Sequence, residues 1–483
     1  MRIWLLAAVL GYLFVLVVGV GGWLARREKS RVAIDGEFAL GGRSLGTAVV
    51  AVTLAFSVLG TAHILGVFEM SWSLGAAAVW FSLAHVILLI LVCLTTGLWV
   101  RRLGISTVPE ILERLYGERV RLLVSCVMAG MLVGIMTIET QGLGILMSSM
   151  TGWPIQRGAL VGGVIGILYV ILAGMKEIGY LNVINAAIKY GGLILATVFL
   201  AMRLPGGSYE GVGDFYRKAG QADMLNVLGA PGVFGSFVMG TIVAVVFSQS
   251  INQMLLQPAM SARDEATIRK AMWIAAPVNG MFGVFAVVIG LTAKSIPHYA
   301  ALGPKVAATA MLVDLLPPWL AALLLASFLT AVLSTFAMAC LAPATLFSLD
   351  IYKRLYRPAA GETEVRRVTQ IAIVVLGVIA IGVASALPPI LAAMNWLFSW
   401  LVPVFWVVVF GLFWKRSGAV ALATLLGAWT ANLLWSFSDL PAMLHADPAA
   451  NAYVVLGVTL AVGVAGNLLS GGQAGYFRQA QAA

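Results

Sequence analysis

The stretch FSVLGTAHILG, residues 56 to 66, places small and polar residues in the middle of an apolar segment of this 483-residue chain. The residues that interrupt the segment are Ser57, Gly60, Thr61 and His63. A second run, FSQSINQ at residues 247 to 253, contains Ser248, Gln249, Ser250, Asn252 and Gln253. Backbone groups freed by such breaks find no water in lipid, so they are tolerated where they line a cavity or bind an ion. The two runs predict a mid-membrane binding site, with packing between helices as the alternative.

The composition around these runs is that of a membrane protein. Hydrophobic residues make up 61% of the chain and charged residues only 10%, whereas soluble globular domains carry about 25% charged residues. We therefore expect an all-α polytopic membrane protein with about 13 transmembrane helices, each near 20 residues long. The expected spans are 3–24, 44–69, 75–99, 122–148, 157–174, 178–202, 232–257, 272–293, 318–349, 368–386, 389–413, 418–437 and 451–470. The first lacks a cleavage site, so we expect it to be retained.

The basic residues predict the orientation. With the N-terminus outside and the C-terminus in the cytoplasm, the cytoplasmic segments hold 22 of the 30 Lys and Arg residues, as the positive-inside rule requires. The net charge of +10 is then explained by topology and contact with the lipid bilayer, and no nucleic acid partner is implied. We expect a location in a bacterial-type cytoplasmic (inner) membrane.

The spacing of the spans indicates two repeats. The starts of corresponding helices are offset by 188 residues (44 to 232), 196 (122 to 318) and 211 (178 to 389). Because each set has five helices, the second must enter the membrane from the opposite side, as in the inverted repeats of secondary transporters. The chain is thus expected to be a single transporter domain, with an extra helix at 3–24, repeat 1 at 44–202, repeat 2 at 232–413 and two further helices at 418–470. The two polar runs fall in the first helix of each repeat.

Several motifs resemble the sodium:solute symporter family. They are EFALGGRSLG at 37–46, TVPEILERLYG at 107–117, YLNVIN at 180–185, NQMLLQPAMSARD at 252–264 and LLLASFLTAVLSTFAMACLAPATLFSLDIYKRLYRP at 323–358, of which the last is the most diagnostic. The resemblance covers about residues 37 to 357. It implies a five-plus-five inverted-repeat fold like that of the leucine transporter.

The resemblance also implies a sodium site. Carried over by position, its ligands are oxygens of Phe56, Leu59, Ala331, Ser334 and Thr335. Residues 331, 334 and 335 share one helix face, and a hard cation binds several oxygens at once. The alternative is that the two hydroxyls bond back to the preceding turn of their own helix. No metal other than sodium and no cofactor is expected.

The sequence departs from the family pattern near this site. Many members have an aspartate where this chain has Asn182, and Lys189 follows two turns later in an apolar span. A lysine at that depth costs about 2.5 to 3.5 kcal/mol on insertion scales. Four roles compete: an ion pair with Glu139, a counter-charge for an anionic solute, a tethered cation that carries a proton in place of sodium, or a neutral side chain without a role.

The solute class rests on fewer residues. The expected contacts are Ser57, Thr61, His63, Ser248, Gln249, Asn252 and Lys189, while packing is the alternative for His63 and the preferred role for His85. Sugar-transporting relatives carry a glutamate where this chain has Ser82 and an aromatic pair at positions 248 and 249. A sugar is therefore disfavoured, and a small carboxylate or an amino acid is favoured.

Together these features predict a secondary symporter that imports a small solute with a coupling cation, as implied by the family. The sequence contains no nucleophile with a base, no metal cluster and no nucleotide loop, so no enzyme is expected. Two alternatives remain open: a transporter-like membrane sensor, and a sodium-independent, proton-coupled carrier that uses Lys189.

Overall fold

The computed structural model describes residues 3–27, 40–386, 390–447 and 450–482. The basic residues between the first two expected spans lie mostly outside these ranges. The first eight helices are α1 (Ile3–Arg27), α2 (Thr47–Val58), α3 (Val67–Leu74), α4 (Trp80–Leu94), α5 (Thr96–Leu103), α6 (Val108–Tyr116), α7 (Glu118–Thr151) and α8 (Ile155–Arg203). The next ten are α9 (Glu210–Lys218), α10 (Gly240–Gln249), α11 (Gln253–Met260), α12 (Glu265–Ser295), α13 (Pro297–Ala300), α14 (Ala307–Leu315), α15 (Pro318–Thr345), α16 (Glu362–Ala384), α17 (Ile390–Ser399) and α18 (Val402–Phe413).

The C-terminal part adds four helices and a small sheet. The helices are α19 (Gly418–Phe437), α20 (Leu440–Met443), α21 (Asn451–Leu469) and α22 (Tyr476–Ala482). Strands β1 (Lys415–Arg416) and β2 (Gln473–Ala474) pair antiparallel, with Lys415 opposite Ala474. Three π-helical segments interrupt the α-helices, at Ala62–Gly66, Phe234–Met239 and Leu346–Tyr356. π-Helical turns often mark functional positions in helices.

Ten of the described helical stretches are long and apolar enough to cross a membrane. The count is eleven if Phe234–Gln249 and Gln253–Met260, which are bent relative to each other, together form one further span. Two further apolar helices, α2 and the segment Ile155–Ile171, are shorter than a span. The chain is therefore a multi-pass membrane protein, but the expected count of 13 spans is not confirmed. The prediction of an all-α chain holds apart from the two short strands.

Both predicted interruptions occur. Helix α2 ends at Val58, and Leu59 (φ −92°, ψ 57°) leaves the helical conformation before the chain resumes as the π-helical turn and α3. Helix α10 ends at Gln249, and α11 begins at Gln253 after a bend of 51°. The side chain of Asn252 caps α11, because its oxygen accepts a hydrogen bond from the amide of Met254. The polar residues read from the sequence thus coincide with real ends of helices.

Helix α8 covers two predicted spans, 157–174 and 178–202, and the expected connection between them is helical. A straight helix of 49 residues would be about 73 Å long, more than twice the thickness of the hydrocarbon core. Gly166 lies beside Phe336 and Gly192 beside Leu324, and both neighbours belong to α15. These neighbours are only about 18 Å apart along α15, whereas a straight α8 would separate the two glycines by about 39 Å. Helix α8 therefore changes direction between them.

The turn between α3 and α4 depends on a glycine. Gly75 has a φ of +60°, and an added Cβ would lie 2.2 Å from the carbonyl oxygen of Met224. Only glycine adopts this conformation readily and leaves room for the neighbouring backbone. The turn is thereby docked against the segment Ala222–Leu225.

A buried charge cluster joins the π-helical end of α15 to α6 and α7. The carboxylate of Asp350, which is fully buried, pairs with Arg121, and it accepts hydrogen bonds from Thr107 Oγ1 (2.8 Å) and Ser125 Oγ (2.9 Å). Arg121 also pairs with Glu113. Charged groups are tolerated inside a protein when they are paired and hydrogen-bonded in this way. The cluster lies on the predicted cytoplasmic side.

Capping fixes the start of α12, the helix that packs against α2 and α4. Asp264 precedes the helix, and its Oδ1 accepts a hydrogen bond from the amide of Thr267 at 2.7 Å. This bond stabilises the charged form of the side chain and lowers the pKa of Asp264 below its ordinary value. Helix α2 itself packs against α8, α12 and α15, so the first interruption lies at the centre of the bundle.

Candidate functional site

The first interruption is held open by a carboxylate from α7. Glu139 Oε2 accepts hydrogen bonds from the backbone amide (2.8 Å) and the hydroxyl (2.9 Å) of Thr61, the residue that begins the second half of the broken helix. A negative charge at the N-terminus of a helix interacts favourably with the helix dipole. Glu139 therefore replaces the backbone partner that Thr61 loses at the break.

Two glycines allow the carboxylate and Thr61 to approach so closely. An added Cβ on Gly60 would lie 2.5 Å from the carboxylate oxygens of Glu139. An added Cβ on Gly142, one turn beyond Glu139, would lie 1.9 Å from Thr61 Oγ1. Since real Cβ atoms do not approach other atoms so closely, larger residues would displace the contact between the broken helix and α7.

The predicted sodium ligands lie around the same break. Thr335 Oγ1 donates to the carbonyl oxygen of Phe56 at 2.7 Å and lies 3.3 Å from the carbonyl oxygen of Ala331. The fully buried Ser334 Oγ has no hydrogen-bond partner among the described residues. Leu59 is buried at the break itself. Thr335 Oγ1 thus lies near two carbonyl oxygens, and the preceding residue of α15 carries an unpartnered hydroxyl. Several oxygens together are what a hard cation prefers.

The alternative expected for these hydroxyls applies in part. Thr335 does lie within hydrogen-bond distance of the preceding turn, at Ala331, but its shorter hydrogen bond crosses to Phe56. Asn279 of α12 supports the same region, because its Nδ2 lies 3.4 Å from the carbonyl oxygen of Ala55. Sequence reasoning missed Asn279, since nothing in its surroundings distinguishes it from a packing residue of α12.

A narrow cavity adjoins the break and is lined by residues of eight helical elements. About 280 Å³ of space lies between the walls, but room for water is only about 10 Å³, enough for roughly one molecule. The lining residues are Ser57, Val58, Ala62, His63, Phe81, His85, Ile135, Glu139, Gln249, Met254, Thr335, Met394 and Phe398. The two broken helices thus meet at a hollow, and that hollow is nearly closed.

The predicted solute contacts divide into two groups. Ser57, His63 and Gln249 line the cavity, and Thr61 is bonded to Glu139, which also lines it. The remaining polar residues of the second break support Gln249: its Nε2 donates to Ser248 Oγ at 3.2 Å, and its Oε1 accepts from Asn252 Nδ2 at 2.7 Å. Ser248 and Asn252 therefore position the amide without lining the cavity.

His63 is the polar residue of the first break with the clearest binding potential. Both of its ring nitrogens are buried; their nearest polar neighbours are the backbone of Val58 and the side chain of Asn279, and neither meets the geometry of a full hydrogen bond. His85 lies beside it, with ring centroids 4.4 Å apart, and Phe81 completes the group at 4.9 Å from each. His85 was expected to pack only, yet it lines the cavity. Its spacing of four residues from Phe81 on α4 is the signal that places the two rings on one face.

Lys189 does not line this cavity. Its amino group lies 3.9 Å from the ring centroid of Phe56 and 5.3 Å from those of Tyr190 and Phe282. The ion pair between Lys189 and Glu139, one of the four roles that the sequence left open, is not found among the described residues: the lysine nitrogen has no hydrogen-bond partner there, and Glu139 is bonded to Thr61. The physical reason is that the break offers the carboxylate an unsatisfied amide, while the lysine rests on aromatic rings.

Asn182, two turns before Lys189 on α8, is also fully buried, and both polar atoms of its side chain lack a partner among the described residues. One turn earlier, Gly179 packs against Val49 and Thr53 of α2. Asn182 thus lies on the stretch of α8 that borders the first half of the broken helix. Whether it takes part in coupling stays a prediction.

We expect Lys189→Met to stabilise the folded protein. An unpartnered buried polar group costs about 1–3 kcal/mol. Methionine has an unbranched side chain of similar volume and does not carry that cost. The unfolding temperature of the purified protein in detergent should rise by a few degrees. Lys294→Met is the control and should lower it, because Lys294 donates to the carbonyl oxygen of Trp72 at 2.5 Å. A fall in both variants would show that Lys189 has a partner in the folded protein.

Comparison with known proteins agrees with the resemblance. The sodium/glucose cotransporter of Vibrio parahaemolyticus is 24% identical over 434 residues, which cover 83% of this chain and 79% of the relative. The sodium/pantothenate symporter of Escherichia coli (strain K12) is 26% identical over 427 residues, covering 84% and 85% of the two chains. These relatives are transporters and not enzymes.

Solved structures extend the agreement to the fold. A Na⁺-coupled sialic acid symporter in a substrate-bound outward-open state superposes with a TM-score of 0.79 at 16% identity, over 97% of this chain and 99% of that one. The expected leucine-transporter-like fold class is thereby confirmed. The model of the sodium:solute symporter family matches residues 38–429. The chain belongs to the sodium:solute symporter family.

Proposed function

We propose that this protein is a secondary symporter that uses sodium to import a small solute by alternating access. The observation that carries the proposal is the group of oxygens around the first break: two backbone carbonyls, at Phe56 and Ala331, with the hydroxyls of Ser334 and Thr335. The solute cavity shares Thr335 with this group. A cation and a solute bound at adjacent positions would each favour the other's binding, as coupled transport requires.

Alternating access is supported by the state of the cavity. With room for about one water molecule, the cavity cannot hold a whole solute and must widen to bind one. Met394 and Phe398 form one wall on the short helix α17, and the two broken helices form others. Motion of one repeat against the other around a site at the breaks is the usual way in which such folds expose a site to each side in turn.

Sodium entry would supply the driving force. One univalent cation that crosses a potential of 100 mV releases about 2.3 kcal/mol, which corresponds to roughly 50-fold accumulation of a neutral solute. We further propose that the N-terminus lies outside and the C-terminus in the cytoplasm of a bacterial-type inner membrane. The distribution of Lys and Arg supports this orientation.

For the solute, the names of the relatives give no common answer, since they include glucose, pantothenate and sialic acid. The sequence favoured a small carboxylate or an amino acid because of Lys189 and His63. With Lys189 outside the cavity, the argument for a simple carboxylate loses its main support. An amino acid remains compatible with a cavity that contains His63, Gln249 and Glu139.

The test is uptake by the purified protein in proteoliposomes, with a sodium gradient, a proton gradient or a potassium gradient imposed separately. The panel holds L-alanine, L-proline, choline, L-lactate, pantothenate and D-glucose. We expect accumulation of one solute class only when sodium is higher outside. Accumulation driven by protons alone would instead support the proton-coupled carrier, and solute binding without accumulation under any gradient would support a sensor.

A further inference from the structure

Among the side chains that line the cavity, one is acidic and none is a lysine or arginine. Among the 13 lining residues, Glu139 is the only one that is Asp, Glu, Lys or Arg. Both hydrogen bonds that Glu139 makes within the described part of the chain end on Oε2, so Oε1 accepts none. The side chain is 1% exposed. When it is ionised, a carboxylate with a free oxygen in a low-dielectric cavity is costly until a cation or a donor reaches it.

Aromatic rings line the same cavity as Glu139. The rings of His63, Phe81 and His85 lie within 4.9 Å of one another, and Phe398 lies 6.4 Å from His85. The faces of phenyl rings attract cations, and the attraction grows when water is excluded. His85 Nδ1 lies 2.7 Å from the carbonyl oxygen of Phe81 and must donate there, so in the neutral ring Nε2 keeps its lone pair.

We propose that Glu139 Oε1 and the rings of His63, Phe81 and His85 form the subsite for a positively charged ammonium group of the solute. The proposal rests on the proposed transport function and narrows its solute class. A primary ammonium group donates several hydrogen bonds and is about the size of a water molecule, which is what the cavity has room for. A quaternary ammonium group donates none and is larger, so it would bind through its charge and the ring faces after the cavity widens. The rest of the solute occupies the space opened by movement of α17, which carries Met394 and Phe398.

The charge balance favours ammonium over the alternatives. A carboxylate would place a second negative charge beside Glu139, and like charges in a desolvated site repel strongly. A sugar would bring no positive charge of its own, so only the coupling cation could balance an ionised Glu139. The nearby buried cation, Lys189, cannot serve as that counter-charge, because its amino group lies over Phe56 and makes no hydrogen bond within the described chain. The group carrying the charge is either an organic cation or the amino group of an amino acid.

The closing experiment measures binding without any gradient, so it is independent of sodium-driven transport. The unfolding temperature of the detergent-solubilised protein is measured in a sodium-containing buffer, with one probe added at a time. Each ammonium probe is compared with an uncharged or anionic counterpart of similar shape. The pairs are choline with 3,3-dimethyl-1-butanol, L-alanine with L-lactate, and L-proline with tetrahydrofuran-2-carboxylate. We expect stabilisation by at least one ammonium member and by none of the counterparts. Choline alone would identify an organic cation, and L-alanine or L-proline alone an amino acid.

Two variants then test which residues bind the charged group of the probe. Glu139→Gln should weaken binding of the effective ammonium probe roughly 30-fold or more, since it leaves a buried charge without its partner. If that variant does not fold, Phe81→Leu, which keeps the apolar volume but removes the ring face, should still weaken ammonium binding roughly threefold to thirtyfold. Stabilisation by a counterpart as strong as by its ammonium partner, no response to any ammonium probe, or unchanged affinity in the variant tested would overturn the proposal. Failure of sodium-driven uptake alone would overturn only the transport function.

Discussion

Gly142→Ala should reduce uptake by the reconstituted protein more than tenfold. The new Cβ would lie 1.9 Å from Thr61 Oγ1 and 2.6 Å from its Cγ2, so Thr61 must move away from α7. That movement breaks both hydrogen bonds to Glu139 and leaves a buried carboxylate and a buried amide unsatisfied. Each unsatisfied group costs about 1–3 kcal/mol, and more when it is charged. The unfolding temperature should fall together with the uptake rate.

The matched control lies on the same helix. Gly130 is also in α7, and an added Cβ there meets no atom within 4 Å. Gly130→Ala should therefore leave uptake and the unfolding temperature unchanged or slightly raise the latter, because alanine favours helix more than glycine does. Equal behaviour of the two variants would show that the contact between Thr61 and Glu139 does not hold the break.

Thr335→Val should raise the sodium concentration for half-maximal uptake about tenfold to a hundredfold. Valine keeps the branched shape but removes the hydroxyl that lies between the carbonyl oxygens of Phe56 and Ala331. Interactions of a hydroxyl with a charged partner contribute about 1.5–3 kcal/mol, and each 1.4 kcal/mol changes an affinity tenfold. Ser334→Ala should act in the same direction, since its hydroxyl is free to bind an ion.

Thr330→Val serves as the control for this pair. Thr330 lies on the same helix, and its hydroxyl donates only to the carbonyl oxygen of Ser327, at 3.0 Å in its own helix. Its removal should leave the sodium dependence of uptake unchanged. If the sodium dependence of uptake stays at the wild-type value in both Thr335→Val and Ser334→Ala, then α15 does not contribute these ligands to the ion site.

The sequence predicted the breaks well because the physics there is local. Polar side chains such as Asn252 cap a helix a few residues away, and an apolar span has no other reason to carry them. The pairing of Lys189 with Glu139 failed because depth in the membrane can be counted along a span, but the face toward which a side chain points depends on how the helices pack. Lys189 lies over the ring of Phe56, whereas Glu139 is bonded to Thr61.

The aromatic wall of the cavity was missed for a related reason. Phe81 and His85 look like packing residues in a span that is otherwise apolar, and their meaning depends on His63, which comes from another helix. The close contacts at Gly60 and Gly142 were equally invisible, because a glycine in a membrane helix is common and the atom it makes room for is distant in sequence. The signal available in the sequence was Glu139, a carboxylate deep in an apolar span. A broken helix offers an unpaired amide that such an anion can bind.

The buried charge cluster around Asp350 has a consequence for release of the solute in the proposed transport cycle. Residues 318 to 356 run without a gap from the oxygens at Ala331 and Thr335 to the carboxylate that Arg121 grips. The end of this helical stretch that carries Asp350 cannot move outward independently. Either Arg121 and the start of α7 move with it, or the ion pair between Asp350 and Arg121 separates inside the protein. Parting them would cost about 3–5 kcal/mol if neither found a new partner. In the proposed transport cycle, opening at this end would therefore be resisted by the ion pair, and water that enters between α15 and α7 would lower the cost of separating the two ions.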